Sequence, residues 1–218
     1  LSSNVFFLDM GYQLYNKAGA DSIAKTAWKL GLGYDPKEGP SSTTGIEINE
    51  NIFGNVFNLE SRKQIIGRAA YGDMVSVLKG GKARDGSSFK PLDVSLKDSD
   101  SEKIRQIKLE MDEGLRKYWA DTPADDQRTI EEKFNEIREV LDYNLNYIID
   151  ELPAEEQEGM ADSSYLADQV AAVLVYDRGR ELTTPVNVMN ATIGQGDAEL
   201  TLLQIANAAA TLANGGTR

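Results

Sequence analysis

Between Leu200 and Gly216 the chain carries no charged side chain at all. A run of that length must find cover, in lipid or against protein. Gln204, Asn207, Thr211 and Asn214 sit within it, which makes a membrane span a poor fit. The stretch therefore predicts a helix enclosed by protein, with Ile205, Ala206, Ala209 and Leu212 buried, and with Gly215 and Gly216 ending it.

The remaining composition narrows the chemistry. With 218 residues there is room for one large domain or two small ones, and 41% hydrophobic content is enough for a packed core. The formal charge of -12 opposes nucleic-acid binding and adhesion to anionic membrane surfaces, both of which need clustered Lys and Arg. There is no cysteine and no histidine, so disulfides, thiolate metal sites and histidine-based catalytic triads are excluded. Any catalysis must run through Ser, Lys, Tyr or carboxylates, and no motif asks for a cofactor. Leu1 to Met10 lacks the basic start and apolar run of a targeting peptide.

Charge density divides the chain. Residues 60–182 hold 27 acids and 18 bases, whereas 1–59 and 183–218 together hold 8 and 5. A shift of that size predicts a surface-exposed insertion, 60–182, between two flanks that share a buried core.

The first flank reads as two helices. Phe6, Met10 and Leu14 recur at helical spacing up to Gly19, and Asp21 stands where it would cap a second helix carrying Ile23, Ala24, Ala27 and Trp28. Gly31 and Gly33 end that helix, and after a turn at Pro40 to Thr44 the alternation of Ile46 and Ile48 predicts a short strand. The middle is helical by its pattern. Ile104, Ile107, Met111, Leu115 and Tyr118 form one apolar stripe, and Ile130, Phe134, Ile137, Leu141, Leu145 and Ile148 form another. Thr122-Pro123 reads as the cap and first residue of the second helix, so the two should lie antiparallel, stripe to stripe. Ser164 to Tyr176 and Leu59 to Leu78 would complete a small bundle, and Gly80 to Asp100 reads as a loop.

Several short elements at the two ends stand in a telling order. Ser2-Ser3-Asn4 leads into a Phe-Phe helix; Leu30-Gly31-Leu32-Gly33 is followed by Thr44-Gly45-Ile46; then come Ile193-Gly194-Gln195-Gly196 and the Leu203-Gln204 to Asn214-Gly215-Gly216 helix. This series resembles the transpeptidase domain of a class B-like penicillin-binding protein, over 1–57 and about 185–218. The resemblance implies a mainly α-helical piece of the penicillin-binding fold, whose central sheet would be built from other chain, with 60–182 as an inserted helical module. It implies acyl transfer from peptidoglycan stem peptides through an acyl-serine intermediate, with inhibition by β-lactams, outside the bacterial cytoplasmic membrane. Ser2 and Asn4 match the family's S-x-N element, in which the hydroxyl relays a proton and the amide orients substrate and the catalytic lysine.

The sequence also departs from the family. Leu30 replaces the usual Phe, and Leu202 stands where Pro is common after the Thr201 position. No K-T-G or K-S-G occurs, and Lys79-Gly80-Gly81 reads as a helix end. The nucleophile spacing S-x-x-K appears at Ser22–Lys25, Ser76–Lys79 and Ser87–Lys90, all after Ser2, which is the wrong order; chance explains these. The chain alone should therefore be inactive. Asp98, Asp100 and Glu102 imitate the start of a calcium loop, but Lys103 and Leu109 occupy the positions that require Gly and Glu. Glu155, Glu156 and Glu158 read as a solvated linker, and Tyr118-Trp119 as core. An alternative reading makes the chain a non-catalytic interaction module, its insertion binding a partner in cell-wall synthesis.

Overall fold

A computed structural model describes residues 3–39, 54–123 and 126–216. Among these, the regular structure is helical, with two isolated antiparallel bridges, Asn55 with Glu199 and Lys82 with Ser88, and no strand. The strand expected around Ile46 and Ile48, and the turn at Pro40 to Thr44, lie outside the described residues. The chain divides into two compact units, Leu1–Arg62 with Thr183–Arg218, and Lys63–Leu182.

In the first unit, α1 (Asn4–Ala18) and α2 (Ser22–Lys29) come from the N-terminal side, and α9 (Val186–Thr192) and α10 (Leu202–Ala213) from the C-terminal side. Gly19, at a φ of 83°, stops α1. The α1–α9 crossing is a close backbone approach. A Cβ on Gly11 would come within 2.7 Å of the Met189 Cα, and the Thr192 hydroxyl donates to the Phe7 carbonyl at 2.7 Å. The inward edge of α1 is thus Gly11 with half-buried Phe7 and Leu14, while Phe6 and Met10 of the sequence stripe face solvent. Ala24 and Ala27 of α2 pack with Val56. Asp21 does not cap α2. Its carboxylate accepts from the Leu59 N–H at 2.8 Å, at the start of α3 (Leu59–Gly80), where Asn58 also accepts from Ser61 N–H at 2.8 Å.

The expectation for the C-terminal helix is overturned. Helix α10 forms, but Leu202, Ile205 and Leu212 are 86%, 49% and 66% exposed, Ala206 and Ala209 are exposed as well, and the buried residues are Gln204, Ala208 and Thr211. A helix without charges has no solvated face to orient it. Its capping box, in which the Thr201 hydroxyl accepts from Gln204 N–H and the Gln204 side chain accepts from Thr201 N–H, each at 3.1 Å, holds the Gln204 side chain where it packs against Gly54, and the 204–208–211 stripe faces inward with it.

The second unit is a helical bundle with its own core. It is built from most of α3, α4 (Glu102–Asp121), α5 (Ile130–Asp150), the short α6 (Ala154–Gln157), and α7 (Ser163–Ala172), which widens into a π-helical turn at Val173–Arg178 before α8 (Arg180–Thr183) at the edge of the unit. Met74 and Leu78, Met111 and Leu115, Leu141 and Leu145, and Leu166 and Val170 meet in one cluster, joined by Leu92 and Val94 from the 81–101 loop. Each such side chain contributes about 1.5–3 kcal/mol relative to exposure. At the end of the α4 stripe Trp119 rather than Tyr118 is fully buried, and at the start of the α5 stripe Ile130 is 57% exposed.

The α4–α5 connection corrects the expected cap. Thr122 closes α4, its hydroxyl donating to the Tyr118 carbonyl at 2.7 Å, and its own carbonyl accepts from the buried Lys63 ammonium at 2.7 Å. Helix α5 starts later, at Ile130, where Thr129 and Glu132 form a capping box. Arg128 locks the turn with two bonds to Asp126, at 2.8 and 3.0 Å, one to Glu136 and one to the Thr122 hydroxyl at 3.0 Å.

Candidate functional site

The resemblance points to the start of α1. Ser2 lies outside the described residues. Ser3, the middle residue of the motif, is the helix N-cap, its hydroxyl accepting from Phe6 N–H at 3.4 Å. Asn4 is the first helical residue and is exposed, leaving its amide open to solvent beside the N-terminus of α1. A carboxamide in that place can donate to and accept from a substrate amide. It cannot move a proton by itself.

A second set of residues in the same unit ties the two ends of the chain together. Asn55 and Glu199 exchange backbone hydrogen bonds at 2.6 and 2.9 Å. The Asn55 amide donates to the Asp197 carbonyl at 3.2 Å, and Arg62 pairs with the Asp197 carboxylate at 3.1 Å. Asn58, 1% exposed, donates to the Val56 carbonyl and the Ser61 hydroxyl at 2.8 and 3.1 Å. Gly54 is required at this junction. Its φ of 67° is a glycine conformation, and a Cβ would meet the Gln204 Oε1 at 2.4 Å. The Gln of the Leu-Gln pair is thereby held between the Thr201 backbone and Gly54. This cluster is scaffolding: its polar groups satisfy one another, and no nucleophile stands beside a base.

The three S-x-x-K spacings lack nucleophile geometry. The Ser76 hydroxyl donates to the Gly72 carbonyl at 2.8 Å, while Lys79 pairs with Asp93 at 3.4 Å. The Ser87 hydroxyl donates to Asp85 at 2.7 Å, and Lys90 donates to the Glu156 and Glu158 carbonyls at 2.7 and 2.8 Å. Ser22 opens α2 and Lys25 is exposed, without a hydrogen bond between their side chains among the described residues. Lys90 also corrects the reading of 155–158 as a linker: Glu155 and Glu156 belong to α6, whose terminal carbonyls Lys90 caps.

The calcium-like spacing is filled by the protein itself. Asp100 pairs with Lys108 at 2.9 Å in a nearly buried bridge, and accepts from Lys97 N–H at 2.9 Å. Among the described residues no group of three or more carboxylates could hold a metal ion. An open depression of about 250 Å³ lies between the end of α5 and the start of α7, lined by Asn146, Asp150, Met160 and Asp162 among others. It contains no paired acid and base.

Perturbed titration is concentrated in the second unit and serves its fold. Burial, then the nearby Asp112, pushes the Tyr71 hydroxyl up to about 12 while it donates to the Val94 carbonyl at 2.7 Å. Burial also raises Tyr118 to about 12, against the opposing pull of Arg128. For Asp126, burial acts upward, but the hydrogen bonds from Arg128 and Lys133 prevail and bring the carboxyl down to about 2.

Comparison of the chain with protein-family models, curated proteins and solved structures gives no match. Among the described residues no helix is long and apolar enough to cross a membrane. The sequence missed the Arg62–Asp197 tie, because its partners stand 135 positions apart and neither carries a local signal. The Asn58 cap could have been found: Asn standing directly before Leu59, the first residue of an apolar periodic run, is a helix-start signal.

Proposed function

We propose that the first unit is part of a penicillin-binding D,D-transpeptidase domain, in which Asn4 orients the stem peptide and Ser2 relays a proton. The observation that carries this reading is the Thr192–Phe7 hydrogen bond with the α1–α9 crossing at Gly11. It brings the helix that follows Ser2-Ser3-Asn4 against the helix that leads into Ile193-Gly194-Gln195-Gly196. The two stretches that carry the resemblance thus belong to one compact body. The apolar faces of α1 and α10, with Val5 77% and Leu202 86% exposed, are further support, because a transpeptidase domain has more structure with which to cover them.

In this reading the acylated serine, its lysine base and the K-T-G strand are supplied by chain outside the 218 residues. Acylation requires a serine whose proton is taken by an adjacent base, and oxyanion donors set in advance; none of the S-x-x-K serines here meets its lysine. Incubated with a fluorescent penicillin and run on a denaturing gel, the chain should give no labelled band at 23.9 kDa. A band lost on substitution of Ser22, Ser76 or Ser87 would overturn the assignment. In the full-length parent, Asn4→Ala should slow β-lactam acylation while leaving the melting temperature in place; an unchanged acylation rate would count equally against it.

The second unit supports a complementary role. It encloses its own apolar core, yet presents Tyr143 at 76% exposure in a stretch of net negative charge. This favours an interaction module that receives a basic partner from the cell-wall machinery. Tyr143→Ala in the parent should weaken that association without altering acylation.

A further inference from the structure

The end of α10 carries chemistry that the proposed function leaves unused. Asn214-Gly215 is the single Asn-Gly step in the sequence. Asn214 is the helix C-cap and is exposed, and Gly215 follows at a φ of 70°. Gly216 N–H donates to the Thr211 carbonyl at 2.9 Å and Gly215 N–H to the Leu212 carbonyl at 3.2 Å, the bond pattern of a Schellman cap. The Asn214 side chain has no hydrogen-bond partner among the described residues.

We propose that Asn214 is a site of spontaneous deamidation through a succinimide closed by Gly215. The Gly215 backbone nitrogen gives up its proton to hydroxide and attacks the Asn214 side-chain carbonyl carbon. The new C–N bond closes a five-membered ring, and Nδ2 leaves as ammonia with a proton from water. Water then opens the ring at either carbonyl, giving aspartate or isoaspartate and one new carboxylate. Glycine on the attacking side removes the Cβ that would crowd the ring. The step is gated by the cap: at an Asn214 ψ of 18°, with Gly215 N–H donating to Leu212, the nitrogen is not free to attack. Reaction proceeds from the frayed end, and an exposed terminus followed by two glycines opens readily.

Asp85-Gly86 offers a comparison inside the same molecule. It could close the same ring, but its carboxylate accepts from both the Ser87 N–H and hydroxyl, at 2.9 and 2.7 Å, and a carboxylate is a poorer electrophile than an amide. Conversion at Asn214 places negative charge against the carbonyl end of α10, where it is repelled. The isoaspartate form also lengthens the backbone by one atom, so the two glycine bonds lose their register.

The whole chain, incubated at pH 8 and 37 °C and mapped by peptide mass spectrometry, should gain about one dalton in the peptide containing Asn214, split between two chromatographic forms. The gain should be faster at higher pH and faster in urea, which opens the cap. In Asn214→Gln, whose longer side chain disfavours the ring, the gain should vanish. A peptide that keeps its Asn214 amide through the same incubation overturns the proposal, and conversion that urea leaves unchanged overturns the gating by the cap.

Discussion

The sequence stripe of α5 treats Ile130 and Ile137 as equals, and the structure does not. Ile137 is 0% exposed inside the bundle and Ile130 is 57% exposed at the first turn, so one substitution made at both positions separates the two descriptions. Ile137→Ala removes three carbons from the core. At ~0.8 kcal/mol each the transfer term is ~2.4 kcal/mol, a residual cavity of ~50 Å³ adds ~1.2 kcal/mol, and the better helix propensity of Ala returns ~0.4 kcal/mol, for a total of ~3.2 kcal/mol. At Ile130 less than half of that transfer term applies, no cavity remains, and the better helix propensity of Ala returns ~0.4 kcal/mol, leaving ~0.6 kcal/mol. Trp119 lies in the same core, so its fluorescence in a Trp28→Phe background reports this unit alone. With a urea slope of ~2 kcal/mol/M the midpoint should fall by ~1.6 M for Ile137→Ala and by ~0.3 M for Ile130→Ala, at unchanged slope. Equal shifts would refute the burial assignment, and a loss under ~1 kcal/mol at Ile137 would refute the bundle core.

Gly11→Ala in the first unit forces a Cβ against the Met189 backbone and should cost ~1–3 kcal/mol, read as a lower melting temperature by circular dichroism; Gly72→Ala in the second unit, where the added Cβ meets nothing, should not. Thr129→Ala removes the α5 capping box and should cost ~1 kcal/mol in a urea melt. Asp126 is held at about 2 against an ordinary 3.8, so its contribution is complete above pH ~4 and is lost as pH falls from ~4 towards ~2. Asp126→Asn should flatten the acid limb of the stability curve in that window, and an unchanged limb would show that Arg128 does not hold the carboxylate.

The helices of the second unit were legible because their apolar residues recur against charged neighbours. Ile107, Met111 and Leu115, like Ile137 and Leu141, have Lys, Arg, Asp or Glu beside them, and Leu145 has Asn144 and Asn146, which leaves one face to bury. The ends of those stripes were less legible, because Thr122-Pro123 carries a cap signal that the chain uses to finish α4. Helix α10 was legible as a helix and misleading as to its face, since apolar residues lie all round it and the residue that packs against Gly54 is the polar Gln204. Asp21 misled in another way: a capping residue can serve any helix end that folding brings near, and Leu59 stands 38 positions away. At the candidate site the sequence offers Ser2 and Asn4, and the structure adds the position of Asn4 and the capping role of Ser3.

The Thr192–Phe7 bond joins residues 185 positions apart, and Tyr15 reaches Thr183 across 168. The second unit is one continuous stretch of chain, Lys63–Leu182. On a ribosome adding roughly 5–20 residues per second, about 10–40 s separate the synthesis of Phe7 from that of Thr192. For that whole interval α1 has no α9 to receive Gly11, and its inward edge, with Phe7 and Leu14, is apolar surface without a partner. The bundle of 63–182 completes its sequence within the wait. Nascent-chain handling therefore falls on α1, and a chaperone or a stalled ribosome would meet residues 4–18 in their most adhesive state.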